Sequence, residues 1–298
     1  MARISVIIAS VNGLPGIDDC LSSLDRQKCE FESEIIVANR CQGGGTAEYI
    51  AQTFPRVKLL NFSMELSVWE LRARALAEAS GDIIVVTEDH CIAPETWFAE
   101  IVKAHELGYL VVGGPVENDM TDRIVDWAAF FCEYSSAMLP ARQVEVNGIP
   151  GNNVAYKREV FTLLNTPRDG FFWDWFLHEE LRKKGVRFLS VPSMVIRHRK
   201  KFGFFDFLFQ RFHYSRAFAG VRRSLVSPAR RLAYIILSPA LPLVMASRVS
   251  WNVLVEKRRL YWEFLLSLPS LSAFWTSYAA GEFVGYLLGP GSSLSRIE

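Results

Sequence analysis

The sequence has no paired-cysteine pattern. Its five cysteines (Cys20, Cys29, Cys41, Cys91 and Cys132) are odd in number and none shows C-x-x-C spacing. Neither a disulfide framework nor a zinc ribbon is therefore readable, and reduced thiols in a cytosolic compartment are the expectation. No G-x-G-x-x-G follows the first apolar run, Ile4–Ser10, which disfavours a nicotinamide-dependent Rossmann enzyme. Gly43-Gly44-Gly45 lacks the strand-to-helix context of such a motif and reads as a loop. A secretory h-region is missing too, because Arg3 is followed only by the short run Ile4–Ala9, so the soluble part is expected in the cytoplasm. Basic excess is also absent. Lys+Arg total 33 against 32 Asp+Glu, which excludes nucleic-acid binding through a basic surface. No internal repeat or low-complexity segment is found.

What is present is apolar content. Half of the 298 residues are hydrophobic and 22% are charged, enough for one large domain or two ordinary ones and too apolar for a disordered chain. The near-neutral charge hides a split. From Asp206 onward there are 11 Lys+Arg and 5 Asp+Glu, while the preceding residues hold 22 and 27. An acidic body followed by a basic, aromatic, apolar tail suggests a soluble domain joined to a membrane-surface module.

The body alternates strand and helix patterns. Ile4–Ser10, Glu34–Ala38, Val57–Asn61 and Asp82–Thr87 are short buried runs. Helical segments are expected at Ile17–Arg26 and Ser67–Ala79, the latter stopped by Gly81. Continuous β-branched runs separated by helices predict a parallel sheet covered on both faces, with ligands bound beyond the carboxyl ends of its strands. A helix at Thr96–Leu107 and a strand at Tyr109–Gly113 follow, then a break at Gly113-Gly114-Pro115. Residues 116–205 read as a mixed α/β half with a helix near Trp173–Lys184 and a strand at Val186–Val191.

The tail holds two apolar stretches, Leu232–Val255 and Leu260–Leu288. Within the first, Leu232–Ser247 contains Pro239 and Pro242 and is short for a span of about 20 residues. Arg230-Arg231 precede it, and Arg248 and Lys257-Arg258-Arg259 follow, so a crossing would place one basic cluster on the wrong side. A monotopic, membrane-embedded tail is the expectation. A hairpin or single span is the second choice, and a soluble helical tail completing a dimer core is the bland one.

The chemistry centres on Glu88-Asp89-His90, directly after a buried strand. Two carboxylates and an imidazole there suit a divalent cation holding a diphosphate, although the triplet in isolation reads rather as a solvated turn, and it is the place after a buried strand that argues for the cation. His198, between Arg197 and Arg199, taken alone reads as a surface histidine. His178-Glu179-Glu180 reads as structural, on an exposed helix face. Gln210-Arg211 with Tyr214 and Arg216 fits either a diphosphate site or an interfacial basic helix.

Seven ordered blocks between about residues 3 and 200 resemble the family-2 glycosyltransferases of GT-A fold. They are the strand blocks Ser5–Ser10, Glu34–Val37 and Gly81–Val85 with its following Glu88-Asp89-His90, Gly113-Gly114-Pro115, Gly151–Arg158, Phe171–Asp174 and Val195–His198. The resemblance implies a Rossmann-like, mostly parallel mixed sheet flanked by helices, divided into a nucleotide-sugar half (1–115) and an acceptor half (116–201); charge and hydropathy add a helical membrane-associated region (202–298). The resemblance implies an inverting, metal-dependent hexosyltransferase, and the tail with the missing secretory signal places it at the cytoplasmic face of the cell membrane. That enzyme would move sugar from a nucleotide-sugar to a hydroxyl of a lipid-linked or polysaccharide acceptor. Under the resemblance, Asp174 is the base. Ala9, Ser10, Asn12, Asn39, Arg72, Glu88 and Asp89 face the donor. Gly151, Asn152 and Asn153 face the acceptor, and Glu88, His90 and His198 hold Mn2+ or Mg2+. Departures from the pattern are Asn39 for the usual base-pairing aspartate, Glu88 and His90 for two aspartates, and Trp173 for glutamate. They motivate the alternative of a catalytically silent binding or assembly subunit.

Overall fold

The protein is described by a computed structural model covering residues 3–28, 31–41, 44–164 and 172–297. Cys29, Gly43 and Phe171, which entered the sequence reading, lie outside the described residues. The chain divides into two compact units, Met1–Asp119 with Ala137–Arg199, and Met120–Ser136 with Lys200–Glu298.

The first unit opens with β1 (Ile4–Ser10), α1 (Gly16–Asp25), β2 (Ser33–Asn39), α2 (Thr46–Thr53), β3 (Lys58–Asn61), α3 (Val68–Glu78) and β4 (Ile83–Glu88). Every residue of β1 is buried, as a strand covered on both faces requires. The four strands pair in parallel, and their register aligns Ser10 with Asn39, Asn39 with Asn61, and Ala9 with Glu88. Their carboxyl ends therefore form one rim. α3 is started by a capping box in which Ser67 Oγ accepts from Glu70 N while the Glu70 carboxylate accepts from Ser67 N. Such a cap contributes about 1 kcal/mol and fixes the helix that carries Trp69 and Arg72 on its buried face.

The chain continues through β5 (Cys91–Ile92), α4 (Trp97–Glu106), β6 (Val111–Gly113) and β7 (Val116–Asn118). α5 (Ile124–Tyr134) belongs to the second unit. The first unit resumes with β8 (Val144–Val146), β9 (Val154–Lys157), α6 (Asp174–Lys183), β10 (Phe188–Ser190) and β11 (Ile196–His198). The main sheet has the order β3-β2-β1-β4-β9-β6-β10-β8. It is mostly parallel in its first half, and β9 is inserted antiparallel to both β4 and β6. A small sheet, β5-β11-β7, pairs His198 with both Cys91 and Asn118. This architecture is the mixed α/β fold expected.

The core joins Ile7, Ile36, Ile84 and Val86 of the sheet to Leu71 of α3 and Leu177 and Leu181 of α6. Each such side chain contributes about 1.5–3 kcal/mol by leaving water. His178 corrects one expectation. It is structural, but buried rather than on an exposed face. It shares a 2.7 Å hydrogen bond with the Tyr156 hydroxyl, and burial pushes its pKa down to about 3.

The second unit is helical, with α7 (Phe204–Arg222), α8 (Pro228–Leu237), α9 (Leu241–Trp251) and α10 (Tyr261–Leu288) added to α5. α10 lies so close to α7 that a methyl group on Gly281 would meet Ser215 Oγ and Phe212 O at 2.1 and 2.2 Å. Arg211 of α7 and Glu133 of α5 form a buried ion pair at 2.5 Å. One side of α10, with Phe264, Leu271, Phe274, Trp275 and Tyr286, is buried inside this unit, while Trp262, Leu265, Leu266 and Leu288 stay exposed. Pro228–Lys257 behaves otherwise. It is a 30-residue helical run, apolar and long enough to cross a membrane, and mostly exposed. Leu243, Trp251, Ile236 and, beyond it, Trp262 all stand in solvent.

Candidate active site

The turn after β4 carries the densest group of titratable side chains. Glu88 ends the strand with its side chain one-quarter exposed, while Asp89 and His90 fold back beneath the loop after β1. Asp89 is only 1% exposed. Its Oδ2 accepts from the backbone N–H groups of Val11 and Asn12, both at 2.8 Å, and its Oδ1 from Asn12 Nδ2 at 2.9 Å. The same Oδ1 lies 2.8 Å from His90 Nδ1. In the neutral imidazole that contact holds the proton on Nδ1 and leaves the Nε2 lone pair to accept, the arrangement by which a carboxylate orients a metal-binding histidine.

His90 Nε2 points at two partners, His198 Nε2 at 2.9 Å and Glu88 Oε2 at 3.4 Å. The small sheet puts His198 there, since β11 pairs with β5 immediately after His90. Arg199 anchors the end of β11, with Nε 2.5 Å from Asp119 Oδ2 and a terminal nitrogen 2.9 Å from Asp19 Oδ2. The donors of Glu88, His90 and His198 fit a divalent cation. With bonds of ~2.1 Å, neighbouring ligands of an octahedral ion lie about 3 Å apart, and His90 Nε2 stands 2.9 Å from His198 Nε2 and 3.4 Å from Glu88 Oε2. Burial alone would raise the Glu88 carboxyl, but the His90 hydrogen bond and the charges of His90, Arg72 and His198 hold it well below the usual range. Burial likewise opposes charge on His90, and the facing Asp89 and Glu88 carboxylates overcome it and raise the imidazole. The first shift favours the Glu88 carboxylate and the second an imidazolium beside it, so the two groups stabilise opposite charges.

Arg72, buried on α3, links this group to the next. One of its terminal nitrogens is 3.0 Å from Glu88 Oε1 and the other 3.6 Å from Asp174 Oδ1. Its Nε has no partner among the described residues. Asp174 is the first residue of α6, with its side chain one-quarter exposed. Burial lifts its carboxyl above the ordinary value, and Arg72 pulls the other way. Trp173 stacks on Trp69 with ring centroids 3.7 Å apart and planes 16° from parallel, and Phe172 N donates to Trp69 O at 3.1 Å. Indole stacking therefore seats the start of α6, where the family resemblance would place a glutamate.

The remaining sequence candidates fall into two groups. Asn152 joins the cluster, donating to Glu88 Oε2 at 3.4 Å, and Gly151 lies directly against the Asp174 carboxyl. Ser10, on the strand rim, has a buried hydroxyl without a partner among the described residues, a vacancy suited to a ligand's polar group. Asn39, Asn153 and Ala9 are engaged in the framework. Asn39 Nδ2 donates to Asn61 Oδ1 at 2.9 Å, and its Oδ1 accepts from Cys41 N at 3.1 Å. Asn153 donates to Pro115 O and Met194 O and accepts from Trp97 Nε1. Ala9 is core. A separate cleft lined by Asp82, His105, Lys157 and Arg158 opens at the opposite end of β4.

Three residues escaped the sequence reading. Trp69 and Asn61 carry no local signal, since only the fold brings them to Trp173 and Asn39. Cys91 did carry one, because it directly follows His90. Its sulfur lies with the Glu88 and His90 donor atoms, all within 4.8 Å of one another.

Residues 5–164 match the family described as Glycosyl transferase family 2. The uncharacterized glycosyltransferase YfnE of Bacillus subtilis (strain 168) is 31% identical over 107 residues, 35% of this chain and 27% of that protein. The match thus spans about a quarter of that relative's length. Among solved structures, the mannosyltransferase PcManGT of Pyrobaculum calidifontis, in complex with GDP-Man and Mn2+, aligns with TM-score 0.56 at 20% identity, covering 96% of this chain and 86% of that one. S. aureus TarS 1–349 in complex with UDP-GlcNAc aligns with TM-score 0.54 at 15% identity, covering 93% and 91%. These two likenesses establish the fold.

Proposed function

The chain belongs to glycosyl transferase family 2, and from that premise we propose that it is an inverting, metal-dependent hexosyltransferase using a nucleotide-sugar donor and a hydroxyl of a lipid-linked or polysaccharide acceptor. One observation carries the reading. Arg72 bridges Glu88, in the candidate metal group, to Asp174, in the candidate base position, so both halves of a displacement reaction meet at one guanidinium. Glu88, His90 and His198 would hold Mn2+ or Mg2+, and the GDP-Man and Mn2+ of PcManGT are consistent with this. Bound there, the cation would neutralise charge on the departing diphosphate. Asp89 acts through His90 and Asn12, fixing the first in its tautomer and the second at the donor-side loop. Ser10, Asn12 and the backbone of Ala9 line the donor rim, with Asn39 behind it.

Asp174, lifted toward working pH by burial, would take the proton of the attacking hydroxyl at a carboxylate oxygen. Attack from the face opposite the diphosphate inverts the anomeric centre. Gly151 and Asn152 border the space where that hydroxyl would lie, and Asn153 ties their loop to the sheet. For the tail we propose attachment to the cytoplasmic face of a membrane. The support is the exposed apolar run Pro228–Lys257 and the clusters Arg230-Arg231 and Lys257-Arg258-Arg259 that flank it.

The test is calorimetry of UDP- and GDP-sugars with Mn2+ and with chelator, in the wild type and in Glu88→Ala/His90→Ala. Binding should need both the cation and the two side chains. Equal affinities in all four cases would remove the metal from the reading.

A further inference from the structure

We propose that the Cys91 thiol is a fourth donor of the cluster at the end of β4, giving it a preference for sulfur-tolerant cations such as Zn2+ and Co2+ over Mg2+. The inference rests on the proposed metal role of Glu88, His90 and His198.

Three independent placements converge on the sulfur. Cys91 begins β5 and stands directly opposite His198 in the antiparallel β5–β11 pair, and residues so paired project from the same face of a sheet. Its Sγ, the Glu88 oxygen and the His90 nitrogen all lie within 4.8 Å of one another. The Asn152 amide then reaches two of these acceptors, Glu88 Oε2 at 3.4 Å and Cys91 Sγ at 3.7 Å, so both face the same small space. An ordinary buried cysteine acts as a small hydrophobe among apolar neighbours. Cys91 is 2% exposed, yet it faces a carboxylate, an imidazole and an amide.

The chemistry balances without an oxidant. As the cation binds, the S–H bond breaks, the sulfur keeps the electron pair and donates it to the ion, and the proton passes to solvent. Thiolate and imidazole favour Zn2+ and Co2+, whereas Mg2+ keeps oxygen ligands. Ligand number adds a second effect. Glu88 and His90 leave more positions open for a diphosphate than Glu88, His90 and the Cys91 thiolate do together, and the donor atoms of these three lie within 4.8 Å of one another. Zn2+ should thus bind more tightly than Mn2+ and support less transfer.

The experiment is a Co2+ titration of the full-length protein followed by visible and near-ultraviolet absorption, in wild type, Cys91→Ser, Cys91→Ala, Cys20→Ser and His198→Ala. Thermal melts alongside identify any variant that fails to fold, and the two Cys91 variants cover each other. The wild type should show visible ligand-field bands and a near-ultraviolet sulfur-to-cobalt band. Cys91→Ser and Cys91→Ala should keep the first and lose the second, Cys20→Ser should keep both, and His198→Ala should weaken both. In the Cys91 variants the Zn2+ concentration needed to displace Co2+ should rise by at least about tenfold. Ligand-field bands without a sulfur band in the wild type overturn the proposal while leaving the metal role intact. A sulfur band that survives both Cys91 variants also overturns it. No Co2+ spectrum in the wild type removes the metal role and this proposal together.

Discussion

Replacing Gly151 with alanine tests the base directly, because the new methyl group has one place to go. A Cβ built on Gly151 would lie 2.6 Å from Asp174 Cγ and 2.7 and 2.9 Å from its carboxylate oxygens. Comfortable contacts between such atoms are about 3.5 Å, so the carboxyl group must retreat by roughly 0.5–1 Å. Gly151 is not among the residues with positive φ, so alanine adds no backbone strain there. The carboxyl end is flexible and one-quarter exposed, so it yields into open space. The stability cost should stay near the lower end of the overpacking range, about 1 kcal/mol, or about 2–4 °C in melting temperature. Catalysis should suffer more, because a misplacement of about 1 Å can cost 10²-fold in rate. The expected outcome is a fall of about 10- to 10²-fold in kcat at saturating donor, with donor affinity unchanged. An unchanged kcat with an unchanged melting temperature would show that the Asp174 carboxyl can be moved freely, and it could not then be the base.

Asp174→Asn should keep the melting temperature, since asparagine starts a helix about as well, and should lower turnover by roughly 10² to 10⁴; an intact rate assigns Asp174 to helix initiation alone. A base works only when deprotonated, so transfer should hold above the raised pKa of Asp174 and fall as pH drops through it. Arg72→Gln removes the opposing charge and should move that acidic limb up by about 1–3 pH units, and a limb that stays in place refutes the coupling. In vesicle co-sedimentation the full-length protein should bind anionic bilayers, each of the flanking basic residues contributing about 1 kcal/mol, or about fivefold in partitioning. Trp251→Glu with Trp262→Glu should weaken that binding, and a wild type that stays in the supernatant rules out the membrane reading.

The legible parts of the fold were those whose signal is local. β1 was readable to its ends because a strand covered on both faces is apolar throughout. α3 was readable because Ser67 and Gly81 punctuate it. The turn Glu88-Asp89-His90 stood out for the same reason, since it brings charge directly after the apolar run of β4. What stayed hidden depends on pairing between distant segments. Val154–Lys157 gives no hint that it runs antiparallel between two other strands. Asp126-Trp127 of α5 gives none that it belongs with the tail, yet Asp126 accepts from Phe202 N at 2.8 Å and Phe131 packs edge-on against Phe264. His178 misleads because its two acidic neighbours suggest a wet face, while helix periodicity turns it inward with Leu177 and Leu181. The apolar run of α10 mixes two signals, since the side buried against its neighbours and the side left exposed look alike in composition. Trp173 reads as a lost carboxylate until Trp69 is seen beneath it.

The antiparallel insertion of β9 has a consequence for how the protein is made. Until Val154–Lys157 has been synthesised, β4 lacks its partner on one side and presents an open edge. Unpaired edges of this kind are the templates on which chains join one another. At about 5–20 residues per second, the stretch between the ends of β4 and the start of β9 keeps that edge open for roughly 3–13 s on the ribosome. The same delay governs the chemistry. Glu88 closes the exposed strand, and Gly151 and Asn152 emerge just ahead of the strand that covers it. The nascent chain therefore closes this edge as Asn152 comes within reach of Glu88, and a partner that shields the edge during translation would also be holding that cluster incomplete.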